Sequence, residues 1–171
     1  MNIFTKVAIL GAVAAGILAV APVQMAAAQT GEEYAKMRQA AMKEFNAHSG
    51  AIKKYLKGNK DPKKAARLNT PGDIEFRAIA IAGLAGKLHT MFAKKTSLED
   101  LPGKTRAKPE IWKTWNDFYS RTQTLVKLAG ALEVAAASGD KAKIGAAFKT
   151  LGKQGCGGCH KVYRGPKPKK K

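Results

Sequence analysis

The chain has 171 residues, with 31 lysines and arginines against 12 aspartates and glutamates, which gives a formal net charge of +19. This length suits one folded domain with a hydrophobic core, and the absence of an internal repeat in the sequence argues against a second domain or a repeat array. A positive charge this large is expected to influence which partners the protein meets.

The first 28 residues have the pattern of a secretory signal peptide. A short start with one positive charge precedes the apolar stretch Val7 to Val23, and Ala26-Ala27-Ala28 is an A-x-A cleavage signal. A membrane anchor is the alternative, but Pro22 interrupts the apolar run and no further run of membrane length follows it in the sequence. We therefore expect export to the periplasm and a mature protein that starts at Gln29.

Two amphipathic helices are predicted in the first half of the mature chain. Apolar residues at helical spacing predict the first over about residues 31–57, before Gly58-Asn59. Residues 59–68 are rich in lysine and arginine and are expected to form a solvated loop. Thr70-Pro71-Gly72-Asp73 is a turn that leads into a second helix, which is expected to end before Ser97.

Two more helices are predicted after a connection over residues 97–108. Pro109-Glu110 suits the first turn of the third helix, and apolar spacing continues to Ala136. Ser138-Gly139-Asp140 ends this helix and caps the fourth. The sequence has no alternating strand pattern, so we predict an all-α, antiparallel (up-down-up-down) four-helix bundle over residues 29–165.

The two cysteines of the chain lie in Cys156-Gly157-Gly158-Cys159-His160, which is the attachment sequence of a c-type haem. In this interpretation the thiols of Cys156 and Cys159 hold one covalent haem c, and His160 is an axial ligand of the iron. A structural disulfide or a thioredoxin-like redox pair is an alternative that leaves the histidine unexplained. Zinc needs a fourth ligand, and the sequence has no second Cys/His cluster.

The whole mature chain resembles the class II c-type cytochromes, which include the cytochrome c′ family and its low-spin relatives of the c-556 type. The resemblance implies a left-twisted four-helix bundle, a haem between the helices near one end, and frequently a homodimer. The matching stretches are Cys156-x-x-Cys159-His160-x-x-Tyr163-Arg164, Arg38-Gln39-Ala40-Ala41-Met42, Ala47-His48-Ser49-Gly50-Ala51 and Lys108-Pro109-Glu110-Ile111-Trp112.

The resemblance also implies roles for single residues. It makes Cys156 and Cys159 the thioether sites, His160 the proximal iron ligand and Arg164 a basic residue near the haem, although Arg164 could equally be a solvated charge. Met42 matches the distal position. In cytochromes c′ an apolar side chain there leaves the iron five-coordinate and high-spin, whereas in the c-556 type a methionine there binds the iron.

Two histidines outside the motif are weaker candidates for iron ligands. His48 belongs to the Ala-His-Ser-Gly stretch rather than to the distal position of the family, and His89 lies next to the apolar face of the second predicted helix. A lone histidine needs a geometric partner before it becomes a ligand. We expect both to have surface or inter-helix roles.

The predicted function is that of a periplasmic electron carrier, with a high-spin cytochrome c′ that binds nitric oxide or carbon monoxide as the alternative. No nucleophile–base set or catalytic acid pair is recognised, so an enzyme is not expected. Residues 166–171 form a basic tail, expected to be flexible, that would attract an acidic redox partner or an anionic membrane surface. Nucleic acid is not expected as a partner of an exported protein.

Overall fold

The computed structural model describes residues 29–58, 60–61, 63 and 70–167. The predicted signal peptide 1–28, most of the predicted loop 59–68 and residues 168–171 of the basic tail lie outside the described residues. The helices are α1 (Gly31–Lys57), α2 (Pro71–Met91), α3 (Glu110–Lys113), α4 (Trp115–Ala137), α5 (Lys141–Thr150) and α6 (Gly158–Tyr163), and the segment Leu151–Gly157 is π-helical.

Side-chain caps set where three of these helices begin. Thr30 and Glu33 form a capping box at the start of α1, and Thr70 and Asp73 form another at the start of α2. In such a box the two side chains satisfy backbone amides that the first turn leaves unpaired. Asp140 accepts hydrogen bonds from the amides of Ala142 and Lys143 at the start of α5. The first helix has the bounds that the sequence predicts.

The long helices pack around one apolar core. Helix α1 packs against α2 and α5, and α4 packs against α2 and α5, so the four close into a ring. The fully buried side chains at the centre include Ile52, Ile74, Ile81, Leu132 and Ile144. Over residues 29–58 and 70–167 the structure contains no strand, which confirms the predicted all-α four-helix bundle. In the part of the chain described, no helix is both long and apolar enough to span a membrane.

The second half of the bundle is less regular than predicted. The predicted third helix is interrupted at Thr114, whose φ of −123° and ψ of 50° are not helical. The predicted fourth helix consists of α5, the π-helical segment and α6. The predicted second helix ends at Met91, before Ser97 as expected, and Phe92 is its C-cap. The cysteine motif lies in the π-helical segment and α6.

The connection between α2 and α3 folds back onto the C-terminus. Ala107 and Arg164 form an isolated antiparallel bridge. On one side of this bridge the amide of Gly165 donates to the carbonyl oxygen of Arg106 at 2.8 Å. On the other side the amide of Lys108 donates to the carbonyl oxygen of Tyr163 at 3.0 Å. Arg164 and Gly165, which follow α6, are therefore held against the bundle.

Candidate haem site

A π-helical segment leads the chain into the cysteine motif. Leu151–Gly157 has wider turns than an α-helix, and such segments are rare and occur often at functional sites. Gly155 within it is buried, and a side-chain carbon added there would lie 2.7 Å from Cδ1 of Leu125 on α4. The absence of a side chain therefore allows the backbone just before Cys156 to approach α4 closely.

Both thiols of the motif are half-buried and pack against the hydrophobic core. Burial raises the pKa of the Cys156 thiol, and it raises the pKa of the Cys159 thiol to about 11. Because the thiolate is the reactive form of cysteine, thiols held in this way are weak nucleophiles at neutral pH.

His160 follows the second thiol on α6 and is also half-buried. Burial lowers the pKa of His160, and the positive charges of Arg164 and Arg106 lower it further. The imidazole is therefore neutral at pH 7, and the neutral form is the one that binds a metal ion. Cys156 lies at the end of the π-helical segment, and Cys159 and His160 lie in the first turn of α6.

Two arginines, Arg164 and Arg106, act electrostatically on His160, and only Arg164 was predicted from the sequence to lie near the haem. Arg164 is exposed, and its amide donates to the carbonyl oxygen of His160 at 3.2 Å. Arg106 donates from Nε and Nη2 to the carbonyl oxygen of Gly165 at 2.8 and 2.6 Å. Arg106 gives no signal in the sequence because its position depends on the connection that folds back onto the C-terminus.

Arg38 on α1 is a candidate that the sequence analysis treated only as part of a matching stretch. Its side chain is 4% exposed, and Nη2 donates to the carbonyl oxygen of Thr96 at 2.9 Å. Nε and Nη1 are buried and have no hydrogen-bond partner among the described residues. The guanidinium lies 4.8 Å from the ring centre of Phe92 and 5.9 Å from that of Trp112. Burial lowers the pKa of Arg38 to about 10, so it is a cation at neutral pH.

The two unpaired donors of Arg38 fit a haem. A buried charge with incomplete hydrogen bonding is unfavourable, and an anionic group that accepts from it removes this cost. A haem carries two propionate carboxylates, and carboxylates are anions that guanidinium groups bind well. The site thus offers thiols for attachment, an imidazole for the iron and a guanidinium for a carboxylate.

Aromatic side chains pack beside Arg38 and the motif. The ring centres of Phe92 and Phe118 are 4.8 Å apart, and those of Phe118 and Tyr163 are 5.4 Å apart with the rings nearly perpendicular. The indole nitrogen of Trp112 donates to the carbonyl oxygen of Phe92 at 2.8 Å. Trp115 packs against Phe118 at 5.5 Å. These aromatic residues belong to the hydrophobic core or pack against it.

Met42 lies four residues after Arg38 on α1. It is half-buried and packs against the core cluster. A thioether at such a position can fill space or bind a metal ion, so ligation of iron by Met42 stays a prediction. His48 has Arg77 as a charged neighbour, and the ring of His89 stands edge-on to Tyr119 at 5.4 Å. The structure gives both histidines surroundings other than the cysteine motif.

Fold and site together define a class of protein. A four-helix bundle that ends in a Cys-x-x-Cys-His sequence, with a neutral imidazole and a buried, partly unpaired arginine, is the architecture of a helical c-type cytochrome.

Comparison with known proteins gives the family. A family model described as Cytochrome C′ matches residues 33–164. The cytochrome c′ of Pararhodospirillum photometricum is 30% identical over 133 residues, which covers 78% of this chain and 97% of that relative. The chain belongs to the cytochrome c′ family, and its cofactor is one covalently attached haem c.

Two solved structures are similar in fold. A cytochrome c′ described as having an unusual ligand-controlled dimer dissociation has a TM-score of 0.67 and 27% identity, and the match covers 82% of this chain and 100% of that one. A ferrous variant of the cytochrome c′ of Alcaligenes xylosoxidans with bound NO has a TM-score of 0.65 and 25% identity, and the match covers 81% of this chain and 98% of that one. The resemblance to class II cytochromes is confirmed, while the roles of single haem-site residues stay predictions.

Proposed function

We propose that this protein is an exported haem protein whose iron keeps one face open to small gases such as nitric oxide and carbon monoxide. The observation that carries this proposal is membership of the cytochrome c′ family, which includes a similar protein with bound NO. The signal-peptide pattern of residues 1–28 supports export to the periplasm. The family match favours this function over the electron carrier that we predicted first from the sequence.

In this proposal Cys156 and Cys159 form thioether bonds to the haem, and His160 binds the iron from the proximal side. The bound haem supplies an iron that changes between ferric and ferrous states and binds diatomic gases. The half-buried thiols and the neutral imidazole support these assignments. Arg38 would bind a propionate carboxylate, and Arg164 and Arg106 would keep the proximal side positively charged.

Met42 distinguishes this proposal from a second candidate, a low-spin electron carrier. The position of Met42 supports the second candidate: it is half-buried on α1, four residues from Arg38, rather than exposed. If its sulfur binds the iron, the site is closed to gases and suits electron transfer, because a thioether ligand raises the reduction potential.

The optical spectrum of the reduced protein separates the two candidates. If one face of the iron is open, we expect a high-spin spectrum that changes when carbon monoxide is added. The Met42→Ala variant should then also be high-spin. Met37→Ala is the matched control, because Met37 lies on the same helix and is 37% exposed. Sharp low-spin bands in the native protein that disappear only in Met42→Ala would overturn the open face and support electron transfer.

An acidic protein is the partner that the charge distribution favours for exchange of electrons with the haem. The chain carries a net charge of +19, and Arg106 and Arg164 lie near His160. Opposite charge on a partner speeds association and orients it. Peripheral contact with an anionic membrane surface follows from the same charge and stays a prediction.

A second copy of the chain is the partner that fits the outer face of α2. Phe76 is 66% exposed and Ile79 is 49% exposed, and residues three apart are neighbours on a helix surface. Exposed apolar side chains that lie together mark interaction surfaces. One similar cytochrome c′ is described as having dimer dissociation controlled by a ligand. We therefore include a homodimer through this face of α2 in the proposal.

The substitution Phe76→Lys is expected to convert such a dimer into a monomer. In a two-fold dimer both copies use the same patch, so the single substitution Phe76→Lys places one lysine from each copy in the interface. Burying these two unpaired charges destabilises the dimer. Sedimentation velocity measures the change in mass. Val134→Lys is the control, because Val134 on α4 is 73% exposed but lies on another helix. A native protein that sediments as a monomer, or a Phe76→Lys dimer, would contradict this interface.

A further inference from the structure

Helix α6 carries Cys159 and His160 and forms the last six residues of the helical run that begins with α5 and continues through the π-helical segment. Because the π-helical segment departs from regular α-helical geometry just before the motif, the direction in which α6 presents the imidazole also depends on contacts with other parts of the bundle. Those contacts come from α4 and from Lys108 and Thr114.

Two side chains one turn apart on α4 bind both ends of α6. Arg121 donates from Nη1 to the carbonyl oxygen of Gly158 at 3.2 Å, inside the Cys-x-x-Cys sequence. Arg121 also donates from Nε to Oδ2 of Asp117 at 2.7 Å. The hydroxyl of Tyr163, at the other end of α6, donates to the same carboxylate oxygen at 2.6 Å. A continuous chain of hydrogen bonds thus runs from residue 158 to residue 163 through α4.

The surroundings of this network make it stronger than a surface ion pair. The side chains of Arg121 and Asp117 are 36% and 50% exposed, and such a pair alone contributes little to stability. Here the carboxylate also accepts from Tyr163, which is 3% exposed and packs against Phe118. Hydrogen bonds to ionised groups are stronger than neutral ones, and linked hydrogen bonds support each other. The bond to Arg121, followed by that to Tyr163, lowers the pKa of Asp117, which keeps the carboxylate ionised.

We propose that Asp117 and Arg121 are positioning residues for the haem site: by holding both ends of α6, they set the orientation in which His160 faces the iron. Neither residue would contact the iron. Their effect would pass through the backbone at Gly158 and the side chain of Tyr163, which flank His160 on α6. This inference rests on the proposed role of His160 as the proximal ligand.

The test compares Arg121→Met, Tyr163→Phe and the double variant in the haem-loaded protein. Tyr163→Phe removes the hydroxyl and keeps the ring that packs against Phe118, so the core is preserved. Circular dichroism in the Soret region reports the orientation of the haem and its surroundings in either spin state. We expect both single variants to change the Soret circular dichroism and to shift the midpoint reduction potential. The double variant should change both by no more than the larger single effect, because the two bonds belong to one network.

Lys127→Met is the matched control, because it removes one positive charge from an exposed position on α4. It should leave the Soret circular dichroism unchanged. If Arg121→Met and Tyr163→Phe lower the melting temperature but keep the native circular dichroism and potential, the bonds that Asp117 and Arg121 make to α6 are structural only and the inference is wrong. If His160→Ala in the otherwise native chain leaves the absorption spectrum unchanged, His160 is not the proximal ligand. The inference then fails because the proposed function is wrong, whatever the variants of Arg121 and Tyr163 show.

Discussion

The double substitution Cys156→Ser and Cys159→Ser is expected to produce a chain that carries no covalent haem. The sequence contains two cysteines in total, so no other thiol can form a thioether. Packing around the haem and the bond from His160 are lost on unfolding, whereas thioether bonds survive it. We therefore expect complete loss of Soret absorption from the denatured chain after free haem is removed, with full absorption in the native protein.

Each single cysteine variant is the control for this experiment. Cys156→Ser and Cys159→Ser keep one thiol each, and each should retain haem on a fraction of the denatured chains. Because the measurement is made on unfolded protein and divided by the amount of chain, it does not depend on whether a variant folds. Haem that stays on the denatured double variant would show that attachment uses another side chain.

The second large effect is expected from Arg38→Met in the haem-loaded protein. Methionine keeps most of the volume and removes the charge, so packing near Phe92 and Trp112 changes little. Loss of hydrogen bonds from a buried charged group to Thr96 and to a haem carboxylate should lower the free energy of unfolding by about 1.5–3 kcal/mol. The midpoint reduction potential should also fall, because a positive charge near the haem favours the ferrous over the ferric state.

Chemical denaturation and a potentiometric titration measure these two changes. Lys36→Met is the matched control, since Lys36 lies on the same helix, two residues earlier, and is exposed. It removes the same charge without removing a buried donor. An Arg38→Met protein with native stability and native potential would mean that Arg38 does not bind the haem.

Local patterns in the sequence predict the first half of the bundle well. The predicted helix over residues 31–57 agrees with α1, because apolar spacing and a capping residue act within the helix itself. The predicted turn at residues 70–73 is instead the N-cap and first turn of α2, which begins at Pro71. This helix ends before Ser97 as predicted, and the carbonyl oxygen of its C-cap Phe92 accepts from Trp112 on α3.

The interruption at Thr114 could not be predicted from local patterns. The hydroxyl of Thr114 donates to the carbonyl oxygen of Glu110 at 2.9 Å, and its oxygen lies 2.8 Å from that of Tyr163, which is distant in the sequence. The π-helical segment has a similar origin, since the close approach of Gly155 to Leu125 is a contact between two helices. Periodicity reports which face of a helix is apolar, but not which residues meet across the bundle.

The haem motif was predictable because its residues are adjacent in the chain. Arg38 and Arg106 were not assigned roles because each depends on a distant segment. Arg38 donates to the carbonyl oxygen of Thr96 in the connection after α2, and Arg106 donates to that of Gly165 just after α6. In the sequence both are ordinary members of a strongly basic chain.

The connection that folds back over the end of α6 also determines where the basic C-terminus begins. The amide and the carbonyl oxygen of Gly165 are both bonded to Arg106, so Lys167 follows a fixed point beside the predicted iron ligand. For an acidic partner of the kind proposed, Lys167 and Arg164 would place positive charge on either side of this fixed point, near His160. A contact too weak to hold a partner by itself would still bring that partner to the face of the molecule that carries the predicted iron ligand.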